Sequence, residues 1–309
     1  MKIIDLTDGT EISSVTFPLA CAIGNFDGVH LGHRQLIKSA ADFCRKSNTN
    51  IKCAVFTFES NTSGAPFLVL PEQKLRLAGE CGAQVAVTVP FDEVKGMSCE
   101  AFVSDILVGR LNVERAFCGF NFRFGSMGAG NGAILSSLME KYGRSAEILP
   151  PVTFDGAPVS STRIRAALAE GNIAAANAML CSKYGFTSEV LHGKALGATL
   201  GFPTANQSLP AHFAMPRRGV YASLCDVDGR IFPAVSNIGV RPSVESDGRE
   251  NCETNIIGFS GDLYGRTISV YPMIFLRPEQ KFGSTGELAA AVLRDRETAK
   301  RLLSRCESI

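Results

Sequence analysis

Residues 19–45, LACAIGNFDGVHLGHRQLIKSAADFCR, hold the plan of the fold in miniature. Leu19–Ile23 is apolar throughout, with no polar alternation, the pattern of a strand buried on both faces. A turn with Gly24, Gly28 and Gly32 follows. From Gly32 to Arg45 the apolar residues Leu36, Ile37, Ala40, Ala41 and Phe43 recur at helical spacing. The same strand-then-helix phrase repeats downstream. Lys52–Phe58 predicts a strand, and Glu72–Ala78 a helix opened by Pro71, a good first helical residue. Gln84–Val89 predicts a strand, and Ser98–Val108 a helix capped by Ser98. Strands at Ala116–Gly119 and Glu147–Leu149 flank a helix at Asn131–Lys141. This alternation predicts an α/β fold with a doubly wound parallel sheet, whose ligands bind beyond the carboxyl ends of the strands.

Two short helices, Ser160–Glu170 and Ile173–Leu180, end this half. After Cys181 the grammar changes. Strand-like runs, Phe186–Leu191, Val220–Cys225, Ile231–Val235, Thr254–Ile257 and Thr267–Phe275, are separated by turns such as DGR and GDLYG. They predict a small antiparallel β-barrel or sandwich. A terminal helix, Thr285–Ser304, is expected to bury Leu288, Val292, Leu293, Leu302 and Leu303. The expected domains are therefore 1–182 and 183–309.

Composition sets outer bounds. The 309 residues exceed the comfortable size of one core, and 45% are hydrophobic, enough for two. The formal net charge of +1 argues against a dedicated nucleic-acid binder. There is no apolar run of about 18 residues, so no membrane span is expected. The ten cysteines form no CxxC pair, which disfavours a zinc ribbon and fits a reducing cytoplasm. The charged series Arg294, Arg296, Lys300, Arg301 and Arg305 alternates with Asp295 and Glu297, and predicts a solvated helix face.

Two segments carry phosphate chemistry. In Gly24–His33, GNFDGVHLGH, the glycines allow close backbone approach, and the following helix start offers free N–H groups. His30 and His33, three apart, can face one ligand together and donate to phosphoryl oxygens. In residues 192–206, HGKALGATLGFPTAN, Gly193, Gly197 and Gly201 mark a loop able to wrap phosphates. Lys194 adds a cation within it, and Pro203 stiffens the exit. Thr204 and Asn206 lie two positions apart along a strand, so a hydroxyl and an amide oxygen share one face, a donor set that suits Mg²⁺.

GNFDGVHLGH resembles the nucleotide-binding signature of the nucleotidyltransferase superfamily, in the form used by bacterial bifunctional riboflavin kinase/FAD synthetases. Residues 118–131, CGFNFRFGSMGAGN, resemble that family's flap, and Ser160–Arg165, SSTRIR, matches its motif throughout. LGFPTAN is similar to the riboflavin kinase signature, and GVYA, SNIGVRP, GDLYG and FLRPEQKF follow in the family's order. The resemblance implies a Rossmann-like nucleotidyltransferase domain followed by a β-barrel kinase domain with a terminal helix. It implies ATP-dependent phosphorylation of riboflavin to FMN, then adenylylation of FMN to FAD with release of pyrophosphate, both with Mg²⁺.

By this resemblance His30 and His33 contact ATP phosphates, with Gly24, Phe26, Asp27 and Gly32 shaping the pocket and Asn121, Ser161 and Arg163 bordering it. Thr204 and Asn206 hold Mg²⁺ and phosphates, Asn237 contacts nucleotide, and Glu253 aligns with the general base. Phe124, Arg277 and Glu279 are the flavin-side candidates. The chain departs from the family in five places. Asn121 and Asn131 stand where Asp is usual, Thr57–Pro66 reads TFESNTSGAP without the usual His–Pro pair, and Asn255 and Gly258 replace a His and an Asp. Those in the first half raise one alternative, a riboflavin kinase without adenylyl transfer.

Overall fold

In a computed structural model of the protein, residues 1–6, 15–59, 61, 63–192, 197, 201–240 and 250–304 are described. Backbone contacts divide the chain into two compact units, Met1–Ser161 and Thr162–Ile309.

The first unit runs β1 (Lys2–Asp5), β2 (Leu19–Ile23), α1 (Leu31–Lys46), β3 (Lys52–Phe58), α2 (Pro71–Glu80), β4 (Val85–Val89) and α3 (Phe91–Val94). It continues with α4 (Cys99–Ala101), which passes into a π-helical stretch, Phe102–Arg110, then β5 (Val113–Gly119), α5 (Gly132–Lys141), β6 (Ser145–Leu149) and a small ribbon of β7 (Thr153–Phe154) and β8 (Ala157–Pro158). The main sheet has the order β1-β4-β3-β2-β5-β6, with every pairing parallel. Its strands alternate between two cores. Leu19, Cys21, Ile23, Ala54 and Phe56 pack on one face, and Ala20, Ala22, Cys53 and Val55 on the other. Both faces are thus covered, which is why these strands carry no polar alternation. The winding reverses at β2: β3 and β4 lie to one side, β5 and β6 to the other. The crevice beyond the ends of β2 and β5 is therefore the switch point where such sheets take ligands.

Local signals account for the helix starts. Ser98 accepts from the Ala101 N–H, and Asn131 caps α5 by accepting from the Ile134 N–H at 3.0 Å. Asn and Asp cap equally well, so the family's Asp is replaced at 131 without loss of the helix start. Phe122–Phe124 is not a strand, and its pairing is a single bridge from Phe124 to Gly130. The Phe122 and Phe124 rings stack on the same side, 5.5 Å apart, as residues either side of Arg123 in an extended segment do.

The second unit holds α6 (Ser161–Glu170), which begins at the division, and α7 (Ile173–Leu180). A closed antiparallel barrel follows, built from β9 (Phe186–Leu191), β10 (Ala205–Ser208), β11 (Gly219–Val227), β12 (Arg230–Val240), β13 (Glu250–Ile256) and β14 (Thr267–Arg277). The change of sequence grammar near residue 183 and the division by contacts differ by these two helices. The C-terminal helix, Thr285–Leu303, packs on the barrel through Ala299 and Leu303, against Val220, Ala222 and Val235. Its buried stripe is Ala291, Asp295, Ala299 and Leu303. Leu293, expected inside, is 50% exposed. Leu293, two residues past Ala291, points to the far side of the helix from that stripe.

Candidate functional site

In the first unit the loop after β2 is held under strain. Phe26 has φ 52° and Val29 has φ 39°, values that non-glycine residues rarely adopt and that a β-branched valine adopts least. Such strain persists only where the surroundings impose it, which is common around ligand sites. Here the surroundings are specific. Asp27 is buried and accepts from the Leu68 N–H (2.9 Å) and from Asn61 Nδ2 (3.3 Å). The Ser161 hydroxyl donates to the Asp27 carbonyl at 3.0 Å. Asn25 Nδ2 donates to Asn61 Oδ1 at 2.8 Å, so Asn61 grips the loop at two points.

The loop delivers His30 and His33 face to face, ring centroids 3.6 Å apart and 15° from parallel, with the Phe26 ring edge-on to His33 at 5.2 Å. A side chain at Gly32 would meet the His30 ring at 3.3 Å, a tight contact that glycine avoids. His30 caps α1, its Nδ1 accepting from the His33 N–H. An accepting Nδ1 puts the proton of the neutral ring on Nε2, which makes that nitrogen the donor. Burial pushes His30 down to about 4. Burial also pushes His33 well down, and the nearness of His30 and Lys74, which would repel a second proton, adds to it. Both rings are neutral near pH 7, and their N–H groups are donors for an anion.

Lys74 was not expected from the sequence. It is buried on the inner face of α2 with Leu77 and Ala78. Its ammonium donates to the Phe58 carbonyl (2.5 Å) and the Asn25 carbonyl (3.5 Å), joining the ends of β3 and β2. Burial lowers it to about 8, opposed by Asp27 and Glu59. A lysine in the apolar stripe of a helix was the signal available.

Of the other first-half candidates, Gly24 adjoins the Phe26 ring and Asn121 is exposed just past β5. Arg163 is half-buried on the first turn of α6. Phe124 is 7% exposed, with its ring against Phe102 (5.5 Å) and Phe122 (5.5 Å). It is placed in the core, not on an open surface where a flavin ring could stack.

Neutral, buried His30 has a measurable consequence. Its pKa is depressed in the fold, so below about pH 6.5 the unfolded chain binds a proton that the folded one refuses. Stability is then expected to fall from about pH 6.5 to about pH 4, by roughly 3 kcal/mol from this group. Urea unfolding of wild type and His30→Gln across that range checks it. Equal pH slopes in the two proteins would contradict the assignment.

In the second unit, strand register assembles residues that are far apart in sequence. Asn206 of β10 lies opposite Glu253 of β13, Glu253 opposite Asn237 of β12, Asn237 opposite Val220 of β11, and Val220 opposite Arg277 of β14. They form one row across the outer barrel face. Thr204, Asn255 and Val235 lie two residues along, on the same face. A cleft of about 670 Å³ lies between this face and the C-terminal helix, lined by Thr204, Asn237, Glu253, Asn255, Arg277 and Glu279 among others. A second cleft, of about 550 Å³, is lined by Pro203, Thr204, Thr254, Ile256, Phe259 and Tyr264 among others. Thr204 borders both.

Asn206 is buried and its Nδ2 donates to the Thr204 carbonyl at 3.3 Å, which turns its oxygen away from that contact. Gly197 lets the loop fold back: a side chain there would sit 2.5 Å from the Phe202 carbonyl and 3.3 Å from Thr204. Gly201, at φ 80°, and exposed Pro203 complete the turn into β10. Gly193 and Lys194 lie outside the described residues. Asn237 Nδ2 donates to Glu279 Oε1 at 3.1 Å, and its own Oδ1 is buried without a partner. Asn237 thus stands in the larger cleft beside Glu253, not in the second cleft with Pro203. Arg277 reaches the same cleft, but its guanidinium is bound two-pronged to Asp295, at 2.8 and 3.1 Å. Asp295 and Arg296, expected in solvent, both turn inward: Arg296 donates to Asn255 Oδ1. Among the described residues no cluster of His, Cys, Asp and Glu is set to hold a metal.

Comparison with known proteins follows the same division. A family model described as FAD synthetase matches residues 13–163, and one described as riboflavin kinase matches residues 180–303. The bifunctional riboflavin kinase/FMN adenylyltransferase of Escherichia coli K12 is 36% identical over 286 residues, covering 90% of each chain. The protein of that name from Bacillus subtilis is 32% identical over 295 residues, covering 92% of each. A solved Streptococcus pneumoniae structure, described as a macrolide-efflux protein, superposes with a TM-score of 0.86 at 27% identity, covering 97% of this chain and 99% of that one. Among the described residues no helix is long and apolar enough to cross a membrane.

Proposed function

Since the chain belongs to the bifunctional riboflavin kinase/FMN adenylyltransferase family, we propose that its two activities are carried by the outer row of the barrel and by the His30–His33 loop. It is a transferase that phosphorylates riboflavin with ATP to give FMN, and adenylylates FMN with ATP to give FAD and pyrophosphate. The kinase function belongs to 183–309 and the adenylyl transfer to 1–182.

For the kinase step, the observation that carries the reading is the register that sets Glu253 between Asn206 and Asn237. Glu253 takes the proton of the terminal ribityl hydroxyl as its oxygen attacks the γ-phosphorus, and ADP leaves. The flavin occupies the larger cleft, with the buried Asn237 oxygen as an acceptor and Glu279 beside it. Arg277 acts there by fixing Asp295 and hence the helix wall. ATP occupies the second cleft, with the loop at Gly197 and Gly201 around its phosphates. The hard oxygen donors of Thr204 and Asn206, on one face beside a carboxylate, fit Mg²⁺. When bound, that ion offsets phosphate charge and orients the transferred group.

For adenylyl transfer, an FMN phosphate oxygen attacks the α-phosphorus of ATP and pyrophosphate leaves. The neutral imidazoles donate to phosphoryl oxygens as charge shifts between them. Asp27, Asn61 and Ser161 hold the loop that presents the imidazoles. That intact support favours two activities over a kinase alone, despite the absence of the His–Pro pair.

The test is a paired assay on the full chain. Riboflavin and FMN are each incubated with ATP and Mg²⁺, and products are separated by chromatography. FMN is expected from the first and FAD from the second. FMN formation without FAD over a long incubation would leave the kinase-only reading standing.

A further inference from the structure

We propose that Arg296 and Asn255 are positioning residues for the peptide that carries Thr204, coupling the C-terminal helix to the phosphate loop of the kinase site. The inference rests on the assignment of Thr204 and Asn206 to nucleotide and metal.

Asn255 is 4% exposed, and its amide is used at both ends. Its Nδ2 donates to the Pro203 carbonyl at 2.8 Å, and its Oδ1 accepts from Arg296 Nη1. An asparagine can do both only with its oxygen toward the arginine and its nitrogen toward the loop, so the two contacts fix each other's direction. The Arg296 guanidinium also lies 5.6 Å from the centre of the Phe202 ring, against the residue before Pro203. Pro203 and Thr204 share a planar peptide unit, so whatever holds the Pro203 carbonyl also sets where Thr204 begins. The preceding turn is closed by the Phe202 N–H on the Gly197 carbonyl at 2.7 Å. At its other side the helix is anchored one residue earlier, through Asp295 and Arg277. A helix displaced from the barrel would therefore pull on the Thr204 peptide through two hydrogen bonds. The arginine is suited to this work, since one planar group both donates to an amide and lies against an aromatic ring.

The experiment is kinase kinetics on the full chain with Arg296→Ala, Arg296→Lys and Asn255→Ala, the Arg296→Ala/Asn255→Ala double variant, and Thr204→Ala as a separate reference. Arg296→Ala is expected to raise the KM for ATP by about 10–100-fold and the Mg²⁺ concentration for half activity with it. Riboflavin affinity, read by flavin fluorescence, and FMN adenylylation should stay within twofold. Arg296→Lys, which keeps charge but not the planar fork, should recover only part of the loss. The double variant should be no worse than the worse single one, because both act through one link. If Arg296→Ala weakens riboflavin and ATP equally, the residue merely stabilises the fold and the proposal fails. If it changes neither, the proposal also fails. Should Arg296→Ala not fold, Arg296→Lys decides by the same readouts. Thr204→Ala separates the two ideas: if it leaves ATP and Mg²⁺ dependence intact, the site assignment itself is at fault.

Discussion

Glu253→Gln is expected to lower riboflavin phosphorylation by about 10²–10⁴-fold, the usual worth of a general base, while FMN adenylylation continues. The amide keeps the size of the side chain and removes its capacity to take a proton. Glu253 sits on β13 between Asn206 and Asn237, its two partners in the strand register, and Gln can occupy that row without clash. The loss should therefore fall on kcat, with the KM for ATP little changed. Glu253→Ala should behave similarly. Steady-state rates of FMN formation check the prediction, and an unchanged kcat in either variant would remove Glu253 from the mechanism.

The second large effect is expected at the other site. His30→Ala should reduce FAD formation from FMN by about 10²–10³-fold, the cost of losing one directed donor to a charged transition state, and leave the kinase intact. Two losses coincide in this variant. One is the Nε2–H donor, and the other is the cap on the His33 N–H that starts α1. His30→Asn separates them, because asparagine caps well but does not place a donor where the imidazole does. If His30→Asn restores FAD synthesis to the wild-type rate, capping explains the defect and the catalytic assignment falls.

The two sites differ in how far the sequence exposes them. The His30–His33 loop is contiguous, so its glycines, its histidines and the helix that follows can be read together. The barrel site is not contiguous. Residues 206, 237, 253 and 277 become neighbours only through strand register, and register depends on the closure of six strands. Family motifs supplied the residues; spacing along the chain could not have placed Asn237 beside Glu253 or outside the second cleft.

The C-terminal helix shows why the remainder was hidden. Its charged residues alternate in sign, which ordinarily marks a solvent face. The buried stripe instead follows Ala291, Asp295, Ala299 and Leu303 at intervals of four, with a carboxylate among apolar residues. Hydrophobicity alone favours Leu293, which is exposed. Asp295 can be inside because Arg277, from another strand, supplies its counter-charge. Lys74 is hidden in the sequence for a related reason: its partners are two backbone carbonyls, and no side-chain pattern announces them.

Barrel closure also sets an order of assembly. The parallel sheet is complete once residue 149 has been made, since each of its strands finds its neighbours before that point. The barrel must wait for β14, because Phe186–Leu191 closes on Thr267–Arg277 across most of the second unit. During synthesis from the N-terminus, the half that makes FAD is expected to fold on the ribosome first. The half that makes its substrate follows only once β14 has been made, so birth order reverses the order of the chemistry.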